Sequence, residues 1–181
     1  KQNRQLTSAV VEARPLLKAI EEELWKSANF RVITYPKNIV RLMLNLHADG
    51  EHYGRHIDNT WVLNQGADAG RADLSFSLFL QDPEEYEGGE LVVNTPTGDV
   101  NVKLKAGEIV IYDSGAYHEV LPVSKGVRYG CVGWVQSWIP DPKIRSVMTD
   151  FDISIAKLKA SKNVERSELD EFYRIYNEML R

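Results

Sequence analysis

The stretch Asp73-Leu-Ser-Phe-Ser-Leu-Phe-Leu-Gln81 is the clearest strand in the chain. Side chains alternate across a strand, so Leu74, Phe76, Leu78 and Leu80 share one face and Ser75, Ser77 and Phe79 the other. The continuous apolar face is expected to pack against helices. If the sheet closes into a barrel, the second face looks inward, where two hydroxyls are awkward in a dry core but useful beside a carboxylate that holds a metal. Downstream, Gly88-Gly89 precedes a strand at Glu90 to Val93. Pro96-Thr-Gly-Asp99, Lys105-Ala-Gly-Glu108 and Asp113-Ser-Gly115 then read as turns between short strands at Val100 to Leu104, Ile109 to Tyr112 and Tyr117 to Leu121. Short strands at near-regular spacing with turn chemistry between them predict a sandwich, barrel or jelly roll.

Upstream, residues 8 to 28 are expected to be helical, with Leu17, Ile20 and Leu24 on one face and Pro15 tolerated near the start. Phe30 to Asp49 reads as β-like, interrupted by Pro36, and Ala48-Asp49-Gly50 turns the chain toward His52. Between Asn59 and Asp73 the small residues Gly66, Ala67, Ala69 and Gly70 predict a loop with no element of its own. It is either a substrate-side lid carrying Trp61 or a tolerated surface insertion. Val127 to Ser137 is the next strand, with Arg128, Gly130, Val132, Trp134 and Gln136 on one face and Tyr129, Cys131, Gly133 and Val135 on the other. Phe151, Ile155 and Leu158 mark a helix, and a second is expected to begin at Ser167 as its N-cap, with Leu169, Phe172, Tyr176 and Met179 as an apolar stripe for the core or a dimer. Residues 1–148 are thus expected to form the β domain with its N-terminal helix, and 149–181 a helical extension packed on it.

Twenty-two basic residues against 26 acidic ones give a net charge of −4 with no basic block, which argues against nucleic acid as a partner. No stretch is long and apolar enough to span a membrane. The single cysteine, Cys131, lies in an apolar run and reads as a small buried thiol, and a reducing cytoplasmic setting fits. The chain opens on Lys1 rather than Met, which points to truncation, so the lack of a signal peptide weighs little.

The chemistry centres on His52-Tyr-Gly-Arg-His-Ile-Asp58. On a strand, His56 and Asp58 point to the same face about 7 Å apart at the backbone, close enough to grip one ion. With His118 from another strand the set becomes two imidazoles and one carboxylate, an arrangement that holds Fe(II) and leaves other coordination positions open for a cosubstrate. Arg128 lies ten residues after His118, on the strand expected to neighbour it. An arginine on a buried face needs an anion, and its own strand offers no acidic partner. A small dicarboxylate bound to the metal at its other end would serve, as would an internal salt bridge to a distant acid. Trp134 on the same face either walls that ligand in or is core.

These motifs, together with Phe79-Leu-Gln-Asp-Pro83, Tyr86-Glu-Gly-Gly-Glu-Leu91, His118 through Arg128 and Gly133-Trp-Val-Gln-Ser137, resemble the PKHD-type hydroxylases, relatives of the prolyl 4-hydroxylases. The resemblance covers nearly the whole chain, from Asn3-Arg-Gln5 to the helical tail. It implies a mainly β fold with flanking helices, a cupin-like double-stranded β-helix or jelly roll with an N-terminal helix and a C-terminal helical pair. It also implies dependence on Fe(II) and 2-oxoglutarate, with ascorbate supporting turnover. On this resemblance His56, Asp58 and His118 match the metal ligands, Arg128 pairs with the distal 2-oxoglutarate carboxylate, and Tyr53 is a pocket residue. Trp134, Ser75, Ser77 and Phe79 complete the expected cosubstrate pocket. His47 departs from the family pattern, which has an aromatic there, and is placed near the site entrance with Asn59 and Trp61 as a substrate-side candidate, an ordinary solvated histidine being the alternative.

The expected reaction is hydroxylation of a prolyl or other amino-acid residue, or a small molecule, by molecular oxygen, with decarboxylation of 2-oxoglutarate to succinate. The competing expectations are a cupin-like isomerase using the same ligands without oxygen, and a jelly-roll sensor that binds 2-oxoglutarate with little turnover.

Overall fold

The computed structural model describes residues 3–62, 69–161 and 164–181. A first strand, β1 (Arg4–Thr7), and a short 3-10 helix at Val11–Ala13 lead into helices α1 (Arg14–Lys26) and α2 (Ala28–Thr34). There follow β2 (Pro36–His47), β3 (Tyr53–His56), β4 (Trp61–Val62), β5 (Gly70–Arg71), β6 (Leu74–Phe79) and β7 (Glu87–Gly88). Then come β8 (Leu91–Thr95), β9 (Gly98–Val102), β10 (Ile109–Asp113), β11 (His118–Val120), β12 (Val123–Lys125) and β13 (Arg128–Ser137), and α3 (Pro142–Ala160) and α4 (Arg166–Met179) close the chain.

Antiparallel pairing builds two main sheets, ordered β1-β2-β13-β6-β10 and β3-β11-β8-β9, with β12-β7 and β4-β5 as two-stranded ribbons. The sheets face each other: Phe79 of the first and Leu91 and Val93 of the second bury into one cluster. This is a jelly roll, one of the architectures that the turn spacing predicts and the one that the family resemblance implies. The expected outward face of β6 packs as its alternation requires, since Leu74 and Phe76 meet Leu17, Ile20 and Leu24 of α1 and Phe30 of α2 in the largest core cluster. Phe30 and Phe76 stack edge to face at 5.9 Å. Each such side chain contributes roughly 1.5–3 kcal/mol on burial, so α1 is held by its apolar stripe rather than by its own helix propensity. Cys131 sits in the same cluster, and burial pushes its thiol up to about 12, which leaves it an inert core residue.

The structure departs from the sequence expectations in several places. Phe30 to Thr34, read as β-like, is the helix α2. The Ser27 hydroxyl caps it by accepting from the Phe30 N–H at 3.3 Å, and Phe30 and Thr34, four apart, bury a single face. It ends where Tyr35 turns left-handed at φ 43°, because the residue before Pro36 is disfavoured in the α region. The expected loop from Asn59 to Asp73 contains the β4-β5 ribbon, with Trp61 opposite Arg71 and Val62 opposite Gly70; Gly66 and Ala67 lie outside the described residues. Gly70 is needed there, since a Cβ would stand 3.0 Å from Gln136 Oε1 and 3.1 Å from Val40. Helix α4 starts one residue before Ser167, capped reciprocally by Glu165 and Glu168 rather than by the serine. Helix α3 begins at Pro142, so residues 148 and 149 both lie inside it. The α4 stripe packs on α3 through the Phe172 and Tyr176 rings, each 6.2 Å from that of Phe151.

Gly133 sits on the core face of β13 between β2 and β6, where an added Cβ would meet Arg41 O and the Phe76 ring at 2.6 Å and Leu42 at 2.8 Å. Two of those neighbours are backbone or core ring and cannot swing away. Gly133→Ala is therefore expected to lower unfolding free energy by roughly 1–3 kcal/mol through overpacking. Urea denaturation checks this, with Gly54→Ala, where nothing lies within 4 Å of the added Cβ, as the control expected to unfold near the parent midpoint.

Candidate active site

A cavity of about 760 Å³ opens between the two sheets, within the roughly 300–1,000 Å³ usual for ligand pockets. Its wall combines Tyr53, His56, Asp58 and His118 from one side with Ser75, Ser77, Tyr112, Val132 and Trp134 from the other. His56 ends β3 and faces His118 of β11 directly across the ladder. Asp58 lies beyond the strand, in extended chain whose N–H donates to Ser114 O at 3.2 Å. The expectation that His56 and Asp58 share one strand is thus corrected, although the two-residue spacing still delivers both side chains to one point. His56 Nε2 is 3.8 Å from Asp58 Oδ1 and His118 Nε2 is 3.6 Å from Asp58 Oδ2. The ligand atoms of all three residues lie within 4.8 Å of one another.

Both imidazoles are oriented by the backbone. His56 Nδ1 is 2.8 Å from Gly54 O and His118 Nδ1 is 3.0 Å from Ala116 O. A carbonyl can only accept, so each Nδ1 carries the proton and each Nε2 keeps its lone pair for a metal. The Asp58 carboxylate accepts from the Ser75 hydroxyl at 2.6 Å, the use that the inward face of β6 suggested. Two imidazoles oriented through Nδ1, one oriented carboxylate and an open face suit Fe(II), and the residues present fit that ion.

Arg128 is the other singular group. Its strand lies in the five-stranded sheet between β2 and β6, so it does not neighbour the strand of His118 as the sequence spacing suggested; the two belong to opposite sheets instead. Arg128 is 1% exposed. Its Nη1 stands 3.5 Å from Asn45 Oδ1 and its guanidinium lies 5.2 Å from the Phe79 ring. Among the described residues no carboxylate reaches it. Its Nε is buried without a hydrogen-bond partner among the described residues, and the buried Tyr86 hydroxyl lies beside the guanidinium. Burial pushes the guanidinium below its ordinary value, opposed by the phenols of Tyr86 and Tyr112. Gly89 and Gly130 leave room for it, since a Cβ at either would stand 3.2 to 3.3 Å from Arg128.

His47 is corrected in place as well as in character. It is fully buried, directly opposite Arg128 in the β2-β13 register, with Nε2 3.2 Å from Asn3 Nδ2. It is neither solvated nor at the entrance. Asn59 and Trp61 do line the mouth, Trp61 being 58% exposed. Trp134 lines the wall and packs on Val40, Val62 and Ala72. Tyr53 meets the His56 ring edge to face, with centroids 4.1 Å apart.

Sequence reading passed over Tyr112, Asn45, Tyr86 and Arg41. Tyr112 sits opposite Ser75 in the β10-β6 register, with its ring 5.0 Å from His118. Burial, then the Asp58 charge, pushes its phenol up, so it stays a neutral donor. Its alternation with Val110 could have placed it inward once β10 was paired with β6.

A family model described as the 2OG-Fe(II) oxygenase superfamily matches residues 42–136. A PKHD-type hydroxylase of Synechococcus elongatus is 38% identical over 175 residues, spanning 96% of this chain and 78% of its own. Another, from Acinetobacter baumannii, is 35% identical over 182 residues, spanning 100% and 80%. In fold, the chain is similar to a prolyl-4-hydroxylase of Pseudomonas putida, with a TM-score of 0.52 at 24% identity over 75% of this chain and 71% of that one. The matched segment carries the His56, Asp58 and His118 cluster and Arg128, and the chain belongs to the PKHD-type hydroxylases of the 2OG-Fe(II) oxygenase superfamily, enzymes that use iron and 2-oxoglutarate.

Proposed function

We propose that the inter-sheet cavity is the catalytic chamber of a hydroxylase acting on a prolyl or other amino-acid residue. In this reading His56, Asp58 and His118 hold Fe(II), and Arg128 holds the distal carboxylate of 2-oxoglutarate. The observation that carries it is the buried Arg128, which has no carboxylate partner among the described residues and stands against Asn45, a residue of the cavity wall that also carries the His, Asp, His cluster. A dicarboxylate between the two would supply the missing counter-charge.

When bound, Fe(II) with 2-oxoglutarate and O2 supplies the oxidising chemistry, in which the cosubstrate loses CO2 to become succinate and a substrate C–H becomes C–OH. The chain's own work is placement. Gly54 O and Ala116 O keep the Nδ1 protons of His56 and His118, and Ser75 holds Asp58 by one oxygen. Arg128, with Asn45 against its Nη1, fixes the far end of the cosubstrate, while Ser77, Phe79 and Tyr112 line its path. Tyr53 and Trp134 wall the chamber, and the β4-β5 ribbon with Asn59 and Trp61 covers its mouth and limits water. Ascorbate would act as the supporting reductant, and the lone buried Cys131 is compatible with a cytoplasmic setting.

Purified protein with Fe(II) and 2-oxoglutarate is expected to consume O2 and release succinate slowly without prime substrate, and His118→Ala to abolish both; equal release by the variant removes the ligand assignment. Arg128→Ala is expected to raise the 2-oxoglutarate requirement roughly 100-fold, as loss of a buried charge pair does, with metal binding retained by chelator competition. Loss of metal instead would make Arg128 structural. Ser75→Ala is expected to weaken metal affinity roughly 10- to 100-fold, the usual effect of removing a group that orients a ligand, measured by the same competition.

A further inference from the structure

A different arginine, Arg41, lines the cavity itself. On β2, Arg41, Met43 and Asn45 line the wall while Leu42 and Leu44 point into the core behind it. The alternation is broken just before Arg41: Trp134 pairs with Arg41 but Val135 pairs with Ile39, so Val40 is an extra residue. The bulge brings Val40 and Arg41 to the cavity side together, Val40 clustering with Trp134 and Arg41 lining the cavity. Bulges of this kind re-aim a side chain and gather beside active sites.

Arg41 makes no ion pair or hydrogen bond among the described residues, and Asp58, already engaged by Ser75 and facing both histidines, is the one carboxylate among the described lining residues. Beside Arg41 the Trp134 indole N–H is buried and has no partner among the described residues. The wall there offers two unspent donors.

Position separates this arginine from the cosubstrate anchor. Arg41 lies opposite Trp134, and Trp134 lies opposite Ser75, the residue that holds Asp58. Two strand spacings, about 10 Å between backbones, therefore separate Arg41 from the metal-side wall. Arg128 lies six residues further along β13, about 20 Å of strand away.

We infer that the substrate carries a carboxylate that pairs with Arg41 while the C–H bond to be oxidised lies beside the His56, Asp58 and His118 cluster. The inference rests on the functional reading above and narrows it to an acidic substrate. A guanidinium fork suits a carboxylate in two-point contact, and the Trp134 N–H provides a further donor.

The test is a binding titration on the Zn(II)-loaded protein with saturating 2-oxoglutarate, read by tryptophan fluorescence and by ligand-observed NMR. The probes are N-acetyl amino acids and their matched amides, which isolate an α-carboxylate. N-acetyl aspartate amide and glutamate amide, paired with their asparagine and glutamine counterparts, isolate a side-chain carboxylate. In the parent, at least one acid is expected to bind roughly tenfold or more tightly than its amide, the order of a hydrogen bond to a charged group. Arg41→Gln is expected to erase that preference and Arg41→Lys to restore part of it. The inference is overturned if no acid binds more tightly than its amide, or if the preference survives in Arg41→Gln. It is also overturned if Arg41→Gln weakens 2-oxoglutarate itself, which would assign Arg41 to the cosubstrate. Failure of the functional reading would look different, since the parent would then show no 2-oxoglutarate binding at all.

Discussion

A guanidinium taken out of water costs several kcal/mol unless something answers its charge, and among the described residues Arg128 is met by dipoles and ring faces. Asn45 offers one oxygen, Phe79 a π face, and Tyr86 and Tyr112 their phenols. None is an anion. The neighbouring glycines, Gly89 and Gly130, clear space around the side chain, and the long β2-β13 pairing holds its strand in register. On the proposed reading such a group would be answered by an acidic ligand, reached from the cavity by way of Asn45 on its wall.

The metal cluster uses a simpler device. Each histidine is fixed by a carbonyl two residues before it in the chain, so its tautomer is set by local backbone alone. The carboxylate depends instead on the opposite sheet, through Ser75. One sheet therefore supplies both imidazoles, and the other supplies the hydroxyl and the arginine. Neither sheet is a complete site.

Much of this was legible in the sequence because period-two alternation and turn residues report directly on strands. Leu74 and Phe76 outward with Ser75 inward, the His-x-Asp spacing and the unpaired Arg128 could all be read before any pairing was known. What alternation does not carry is which strands are neighbours, so spacing alone sets Arg128 beside His118 when its strand belongs to the other sheet, and nothing in it marks Tyr112. Phe30 to Thr34 misled because a seven-residue helix with β-branched members has too few turns to show its period, and its cap and stop lie in Ser27 and Tyr35. His47 misled because a histidine's burial depends on its cross-strand partner. The bulge at Val40 is invisible in sequence, since an extra residue in one strand is defined only by its partner, and Arg41 was missed with it.

The proposed division of the site between sheets would make the cosubstrate a fastener as well as a reactant. Held by the ion on the histidine side and by Arg128 on the other, a bound dicarboxylate would span the seam between the sheets and resist their separation. Because such a molecule binds only the assembled state, its concentration adds to folding free energy by mass action. On the proposed reading, the endurance of this hydroxylase would rise and fall with the supply of the metabolite it consumes.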